Sequence, residues 1–309
     1  MKILVTGGAG YVGSWVVPAL LEKGNEVRVL DNLTFGGASM LPFFANPKFE
    51  LIVGDVADRK TMEKAVKGVD MVIHLAAIVG YPACRKYPEL SRKTNVEGMR
   101  LLCEVADKNT PILFASTGST YGKLIGDLCT ETTPLNPLTS YGEQKKEAEE
   151  ILTKRGNYVI YRFATAYGVS PRMRLDLLPN DFTYRALRDK TLIVYEKNFM
   201  RTFIHVRDMA KSFVFATENY AKMKNEVYNV GDENQNLSKE AICKIIQKYV
   251  DYYLHFADVG KDFDQRDYVV SYEKIRKAGF TPSITIDEGI KEMVKAMQVI
   301  DVKNPYSNV

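Results

Sequence analysis

A chain of 309 residues, 46% hydrophobic and 26% charged, can bury one large core or two moderate ones and lies in the ordinary globular range. Its net charge of +4 is scattered among acids rather than gathered in a stripe, which argues against nucleic acid as a partner. Cys84, Cys103, Cys129 and Cys243 are far apart, with no close cysteine pair and no histidine at ligand spacing, so neither a disulfide framework nor a metal site is expected.

Residues 1–6 form an apolar run that breaks at Gly7, Gly10 and Gly13 and resumes with helical spacing through Trp15, Val16, Val17, Leu20 and Leu21. This predicts a strand, a tight turn and a helix start. Gly7 allows the turn, Gly10 lets backbone approach a pyrophosphate, and Gly13 lets helix pack on strand. A second strand, 26–30, ends at Asp31. An acid there accepts hydrogen bonds from ribose hydroxyls and repels a 2′-phosphate, which favours NAD over NADP. The bland reading, a glycine-rich turn alone, does not account for strand, helix and acid falling in order. No basic start with an apolar run precedes the first strand, and no apolar stretch is long enough to span a bilayer; a cytoplasmic protein with no membrane partner is expected.

A third strand, 49–56, ends in Asp55 and Val56. Asp55 is suited either to receive an adenine amine or to cap the helix predicted at 59–66. The fourth strand, 70–77, finishes in Ala76 and Ala77, small enough for a flat cofactor to pass over, while His74 within it reads as a core histidine. A helix over 91–107 places Val96, Met99, Leu102 and Val105 on one face, with Asn95 turned inward to fix the strand that follows. That strand, 112–117, delivers Thr117. After a turn-rich loop, 130–140, a helix begins in which Tyr141 and Lys145 lie one turn apart on the same face. One more strand, 158–163, completes an alternation that means a doubly wound parallel α/β sheet.

Beyond Gly168 the pattern changes. An arginine-bearing loop leads to a helix at 182–188, short segments at 191–195 and 201–205, a helix at 208–219, a strand at 227–231, a Ser238-capped helix at 239–249 and a last helix at 287–297. No linker or repeat separates these from the first half. The expected organisation is an NAD-binding Rossmann domain, 1–168, to which 204–231 returns, interleaved with a smaller α/β substrate domain formed by 169–203 and 232–309.

Tyr141 and Lys145 suggest oxidation of a secondary alcohol. A free tyrosine, with a pKa of about 10, is a poor base at neutral pH, and an ammonium one turn away stabilises its phenolate. Thr117 is placed to bond the same substrate hydroxyl.

Over essentially its whole length the chain resembles the extended short-chain dehydrogenase/reductase family of nucleotide-sugar epimerases, dehydratases and dehydrogenases. The resemblance rests on residues 6–13, Asp31-Asn32, Asp55-Val56, residues 74–77, Asn95, Thr117, Tyr121-Gly122, Tyr141, Lys145, residues 201–205, Asp208, residues 228–231 and Arg266-Asp267. It implies that Tyr11, Val12, Asn32, Val56 and Asn95 join the glycines and Asp31 in holding NAD. It also implies that Arg201 and Arg266 meet a substrate diphosphate, as planar guanidinium forks do well, and that the chain is a homodimer through a four-helix interface. The apolar face around 95–105 is taken as further support for that interface.

Two departures narrow the reaction. The family's dehydratases carry Asp-Glu after their threonine, where this chain has Gly118 and Ser119, so water loss is not expected. Thr165 replaces an asparagine of the family that touches substrate. The run 170–186, with Arg172, Arg174 and Asn180, resembles that of bacterial GDP-heptose 4-dehydrogenases of capsular polysaccharide biosynthesis, which implies oxidation at C4 of GDP-D-glycero-α-D-manno-heptose. The alternatives are a nucleotide-sugar 4-epimerase using the same transient oxidation and a non-catalytic nucleotide-binding regulator, the latter disfavoured because both Tyr141 and Lys145 are kept.

Overall fold

The computed structural model describes residues 1–122, 128–257 and 268–300. In chain order the elements are β1 (Lys2–Thr6), α1 (Gly13–Glu22), β2 (Glu26–Asp31), β3 (Phe49–Val53), α2 (Arg59–Val66), β4 (Met71–His74), α3 (Tyr81–Lys86), α4 (Pro88–Arg92), α5 (Gly98–Val105), β5 (Ile112–Thr117), α6 (Ser140–Arg155), β6 (Tyr158–Phe163) and β7 (Thr165–Tyr167). There follow α7 (Leu178–Arg188), β8 (Thr191–Tyr195), β9 (Met200–His205), α8 (Val206–Met223), β10 (Glu226–Val230), β11 (Asn236–Ser238), α9 (Lys239–Gln247), β12 (Tyr253–Ala257), α10 (Glu273–Lys277) and α11 (Ile286–Val299).

Seven strands pair in parallel in the order β10-β6-β5-β4-β1-β2-β3. Successive side chains of a strand point to opposite faces, and the sequence supplies apolar residues for both. Ile3, Val5, Val29 and Ile73 pack on one side with Val16, Val17 and Phe213 of α1 and α8. Leu4, Leu30, Val72 and Phe114 pack on the other with Met62, Leu102 and Leu152 of α2, α5 and α6. The chain leaves β1 for β2 on one side and reaches β4 on the other, so strand order reverses beside β1, where a crevice opens at the carboxyl ends.

Segments after β6 divide their loyalties. α8 lies against α1, and β10 pairs with β6 in the large sheet. The rest builds a second apolar cluster in which Leu192, Phe203, Ile242, Ile246, Ile290 and Met293 are fully buried. Two small sheets, β11-β9-β7 and β12-β8, edge this cluster.

Between α4 and α5 the backbone widens into a π turn, Lys93–Glu97, so the helix expected over 91–107 runs from Pro88 to Val105 with a bulge at Asn95. Three residues of the apolar face of that helix, Val96, Met99 and Leu102, have 0% exposure. Across the outer side Arg92 and Arg100 pair with Glu147 of α6. Val96, Met99 and Leu102 serve the chain's own sheet, while Leu101 and Val105 of α5 and Ile151 of α6 are partly buried.

Candidate active site

A cavity of about 620 Å³ runs along the carboxyl ends of the central strands and under the loop after β7. Gly7, Gly10, Tyr11, Val12 and Gly13 line one end. A Cβ on Gly13 would lie 2.4 Å from the Gly7 carbonyl oxygen and 2.5 Å from the Gly8 Cα, so the helix meets the turn only through hydrogen. α1 has no side-chain cap and no acid in its first turn. Ser14 N and Trp15 N donate to Gly10 O and Val12 O, both at 3.0 Å, and the positive end of the helix faces the cavity that Gly10, Tyr11, Val12 and Gly13 line.

Asp31 lies beside this turn, its Oδ2 accepting from Ala9 N at 3.0 Å and its Oδ1 from Leu33 N at 2.8 Å. Burial pushes its carboxyl up from the usual range, opposed by those two N–H groups and by Arg172. Asn32 also lines the cavity, while its Oδ1 accepts from the Thr34 N–H and hydroxyl. Asp55, Val56, Ala76 and Ala77 continue the wall. The helix after Asp55 is capped by Asp58, which accepts from Thr61 N at 2.8 Å; Asp55 accepts from Ala57 N and keeps its place on the cavity. This removes the capping alternative for Asp55.

His74 Nδ1 lies 2.8 Å from Thr6 Oγ1, its ring stacked on Phe114, and burial lowers its pKa to about 3. It is a neutral core histidine.

Thr117, Tyr141 and Lys145 come together at the far end of β5. Thr139 caps α6, accepting from Gly142 N at 3.2 Å. A Cβ on Gly142 would stand 2.8 Å from the Ser119 carbonyl oxygen, so this glycine lets the start of α6 press against the turn that follows β5. Lys145 is 2% exposed; its Nζ donates to Ala115 O at 2.8 Å and lies 4.6 Å from the Phe114 ring centre and 6.0 Å from that of Tyr141. Burial lowers its pKa to about 8, with Cys84 and Glu149 pulling the other way. Thr117 Oγ1 accepts from Ser119 N at 3.1 Å. Behind them Glu149 of α6 accepts from Ser116 and from Arg162 Nη2 at 2.7 Å, a buried pair tying α6 to β5 and β6.

Two expected contacts are relocated. Asn95 is buried behind the wall rather than on it: its Oδ1 accepts from Ile78 N at 2.9 Å, and its Nδ2 donates to Ile78 O and, at 2.8 Å, to Gln144 Oε1. It fixes the segment after β4, not the strand after its own helix. Asn180 is 0% exposed, its Oδ1 accepting from Gly168 N at 3.0 Å and its Nδ2 donating to Arg174 O at 2.7 Å and to the Tyr11 hydroxyl at 3.3 Å. These bonds hold the loop after β7 and tie it to Tyr11.

That loop is bolted to the glycine turn: Tyr11 donates to Gly168 O at 2.7 Å, Trp15 to Val169 O at 3.0 Å, and Ser170 to Tyr11 O at 2.7 Å. It carries Arg172 and Arg174 into the cavity with Thr165 and Arg201. Arg172 stacks 3.9 Å over the Phe35 ring, on the loop after Asp31, and so reaches the side where a ribose would lie. Arg174 pairs with Asp176. Arg266 lies outside the described residues. Phe35, Asp176, Asp181 and Gln144 were not singled out from sequence. Gln144 alone left a signal, a long polar side chain between Tyr141 and Lys145 on the helix.

Comparison with known proteins matches residues 3–231 to the model described as the NAD dependent epimerase/dehydratase family. The UDP-glucose 4-epimerase of Lactobacillus helveticus is 31% identical over 75% of this chain and 76% of its own. UDP-glucuronic acid decarboxylase 1 of Arabidopsis thaliana is 30% identical over 95% of this chain and 69% of its own. The crystal structure of a Thermotoga maritima UDP-glucose 4-epimerase with UDP-glucose superposes with a TM-score of 0.86 at 28% identity, covering 96% of this chain and 99% of the other.

Proposed function

Because the chain belongs to the NAD-dependent epimerase/dehydratase family, we propose that it is a nucleotide-sugar 4-epimerase working through transient oxidation at C4. The observation that carries the reading is the meeting of Tyr141, Lys145 and Thr117 at one end of a cavity whose other end is an uncapped helix start beside Asp31. NAD, held along Gly7, Gly10, Gly13 and Asp31, supplies the hydride acceptor and donor for C4 when bound. The other residues proposed on this face are Tyr11, Val12, Asn32, Asp55, Val56, Ala76 and Ala77.

Tyr141 takes the proton of the C4 hydroxyl as the ketone forms and gives it back as the alcohol is restored. Lys145 holds a positive charge beside the phenol through both transfers, fixed in place by the Ala115 carbonyl. Thr117 orients the reacting oxygen. Arg201 and Arg172 offer guanidinium groups to phosphates, and Thr165 faces the same cavity. Gly118 and Ser119 supply no acid/base pair for water loss, which disfavours a dehydratase. In this reading residues 1–168 with 204–231 hold the cofactor, residues 169–203 and 232–309 hold the substrate, and the enzyme works in the cytoplasm.

The relatives named above favour an epimerase over our sequence-based expectation of GDP-heptose oxidation, since two of the three are UDP-glucose 4-epimerases. The second reading, release of a 4-keto sugar from a GDP-linked heptose, retains one specific support: Arg172, Arg174 and Asp176 of the loop that carries the resemblance do line the cavity. Mass spectrometry of products from a panel of UDP-, GDP-, CDP- and dTDP-sugars separates the readings. Unchanged mass with inverted C4 supports the epimerase; loss of two hydrogens points to the dehydrogenase, and loss of water overturns both.

A further inference from the structure

We propose that Arg172 and Phe35 form a clasp that keeps NAD in its crevice, so that release of the cofactor requires the loop after β7 and the loop after β2 to part. Arg172, expected from sequence to meet substrate, is thereby assigned to cofactor retention. The clasp belongs to the cofactor end of the cavity and holds whether the sugar is epimerised or leaves as a ketone.

Both loops are anchored to the glycine turn. On the β2 side, Asp31 Oδ2 accepts from Ala9 N at 3.0 Å, and Ser39 Oγ donates to Ala9 O at 3.0 Å. On the β7 side, Ser170 Oγ donates to Tyr11 O at 2.7 Å and lies 2.9 Å from Ser14 Oγ, while the Tyr11 hydroxyl donates to Gly168 O at 2.7 Å. The two loops then meet where the Arg172 guanidinium lies 3.9 Å over the Phe35 ring centre. Glycine turn, β2 loop, stacked pair and β7 loop thus make a closed ring of contacts. Gly10, Gly13, Asp31, Phe35 and Arg172 all face the same cavity.

Arg172 is 5% exposed and Phe35 39%, so the pair stands at the rim of the cavity with the guanidinium on the inner side. A planar, weakly hydrated guanidinium stacks well on an aromatic face, and one held out of water gains more from the contact than one in solvent. Its charge also favours the ionised forms of Asp31 and Asp176, so it stands near the acid that ends β2 as well as the acid of its own loop. The two halves of the clasp are unequally held. The loop after β7 is fixed further by Asn180, which bonds Gly168 N, Arg174 O and the Tyr11 hydroxyl. Phe35 is followed by Gly36, at φ +81, with nothing within 4 Å of the place a Cβ would take. Opening therefore falls to the Phe35 side and begins with loss of the stack.

The test uses the full chain loaded with adenine-labelled NAD and chased with excess unlabelled NAD, the label still on the protein being counted after rapid desalting at successive times. Phe35→Leu keeps an apolar side chain without the ring, and Arg172→Lys keeps the charge without the planar fork. Each, with folding checked by circular dichroism, should speed loss of label about tenfold. Because the two side chains act as one contact, the double variant should lose label within about twofold of the faster single variant. Single variants that hold NAD as long as the parent, the result expected if Arg172 serves only the substrate, overturn the inference, as does a double variant in which the two effects multiply. A parent protein that takes up no label overturns it too, and removes the proposed cofactor cradle with it.

Discussion

Gln144 is the most informative residue to perturb, because it joins α6, which carries the proposed catalytic pair, to the segment behind the cavity wall through side chains alone. Its Oε1 accepts from Asn95 Nδ2 at 2.8 Å and its Nε2 donates to Ser91 Oγ at 3.0 Å. Gln144→Leu keeps most of the volume and removes both bonds. Neither partner is wholly stranded: Asn95 Nδ2 still reaches Ile78 O at 2.9 Å, and Ser91 Oγ still donates to Pro88 O at 2.9 Å. Two lost bonds at roughly 1 kcal/mol each, plus part of the desolvation cost of one amide hydrogen, come to about 3 kcal/mol. For a chain of this size that is a fall in Tm of roughly 5 °C. Tyr141 and Lys145 flank Gln144, so a shifted helix start should lower kcat about ten- to a hundredfold while NAD still binds. Urea unfolding and steady-state kinetics read the two effects. A variant within about 0.5 kcal/mol of the parent, or one with full kcat, would refute the claim that this network positions the catalytic pair.

Replacing Tyr141 with Phe removes the proposed proton acceptor and should cut turnover about 100- to 10,000-fold, with folding and NAD binding kept; near-parental turnover on a confirmed substrate would exclude Tyr141 as the base. Lys145→Met should lose turnover yet gain stability. The folded pKa of about 8 against 10.5 in the unfolded chain is a penalty of about 3 kcal/mol, offset by about 1 kcal/mol for the lost bond to Ala115 O. The sign follows from protonation: below the folded pKa both states carry the proton and the penalty is complete, and it fades as pH rises from about 8 to 10.5. The variant's advantage in urea should therefore be largest at pH 7 and shrink toward pH 10, and a variant less stable than the parent at pH 7 would contradict it. The chain is expected to be a homodimer on family resemblance; a stable monomer in sedimentation at micromolar concentration would rule this out.

The sequence discloses the fold's first half because its signals are local. Strand, glycines and helix follow within residues 1–22, and the Tyr141–Lys145 spacing is fixed by helical pitch alone. What it hides depends on partners far away in the chain. Asn95 reads as a cofactor contact until a π turn and Gln144, 49 residues on, turn it behind the wall. Asn180 reads as a substrate contact, but its amide is used up on Gly168, Arg174 and Tyr11. Asp55 reads in sequence as a cap as readily as a cofactor contact, and the backbone path gives the capping task to Asp58. Phe35 carries no pattern at all until Arg172 stacks over it from 137 residues later.

The most direct test of the central claim is the fate of the hydrogen at C4. The NAD-loaded protein, given a nucleotide sugar deuterated at C4 and no added cofactor, should produce the C4 epimer over many turnovers with the deuterium still on C4, as read by NMR. One equivalent of 4-keto product with the deuterium transferred to the nicotinamide, and no turnover beyond it, would contradict the epimerase account and make the chain a dehydrogenase.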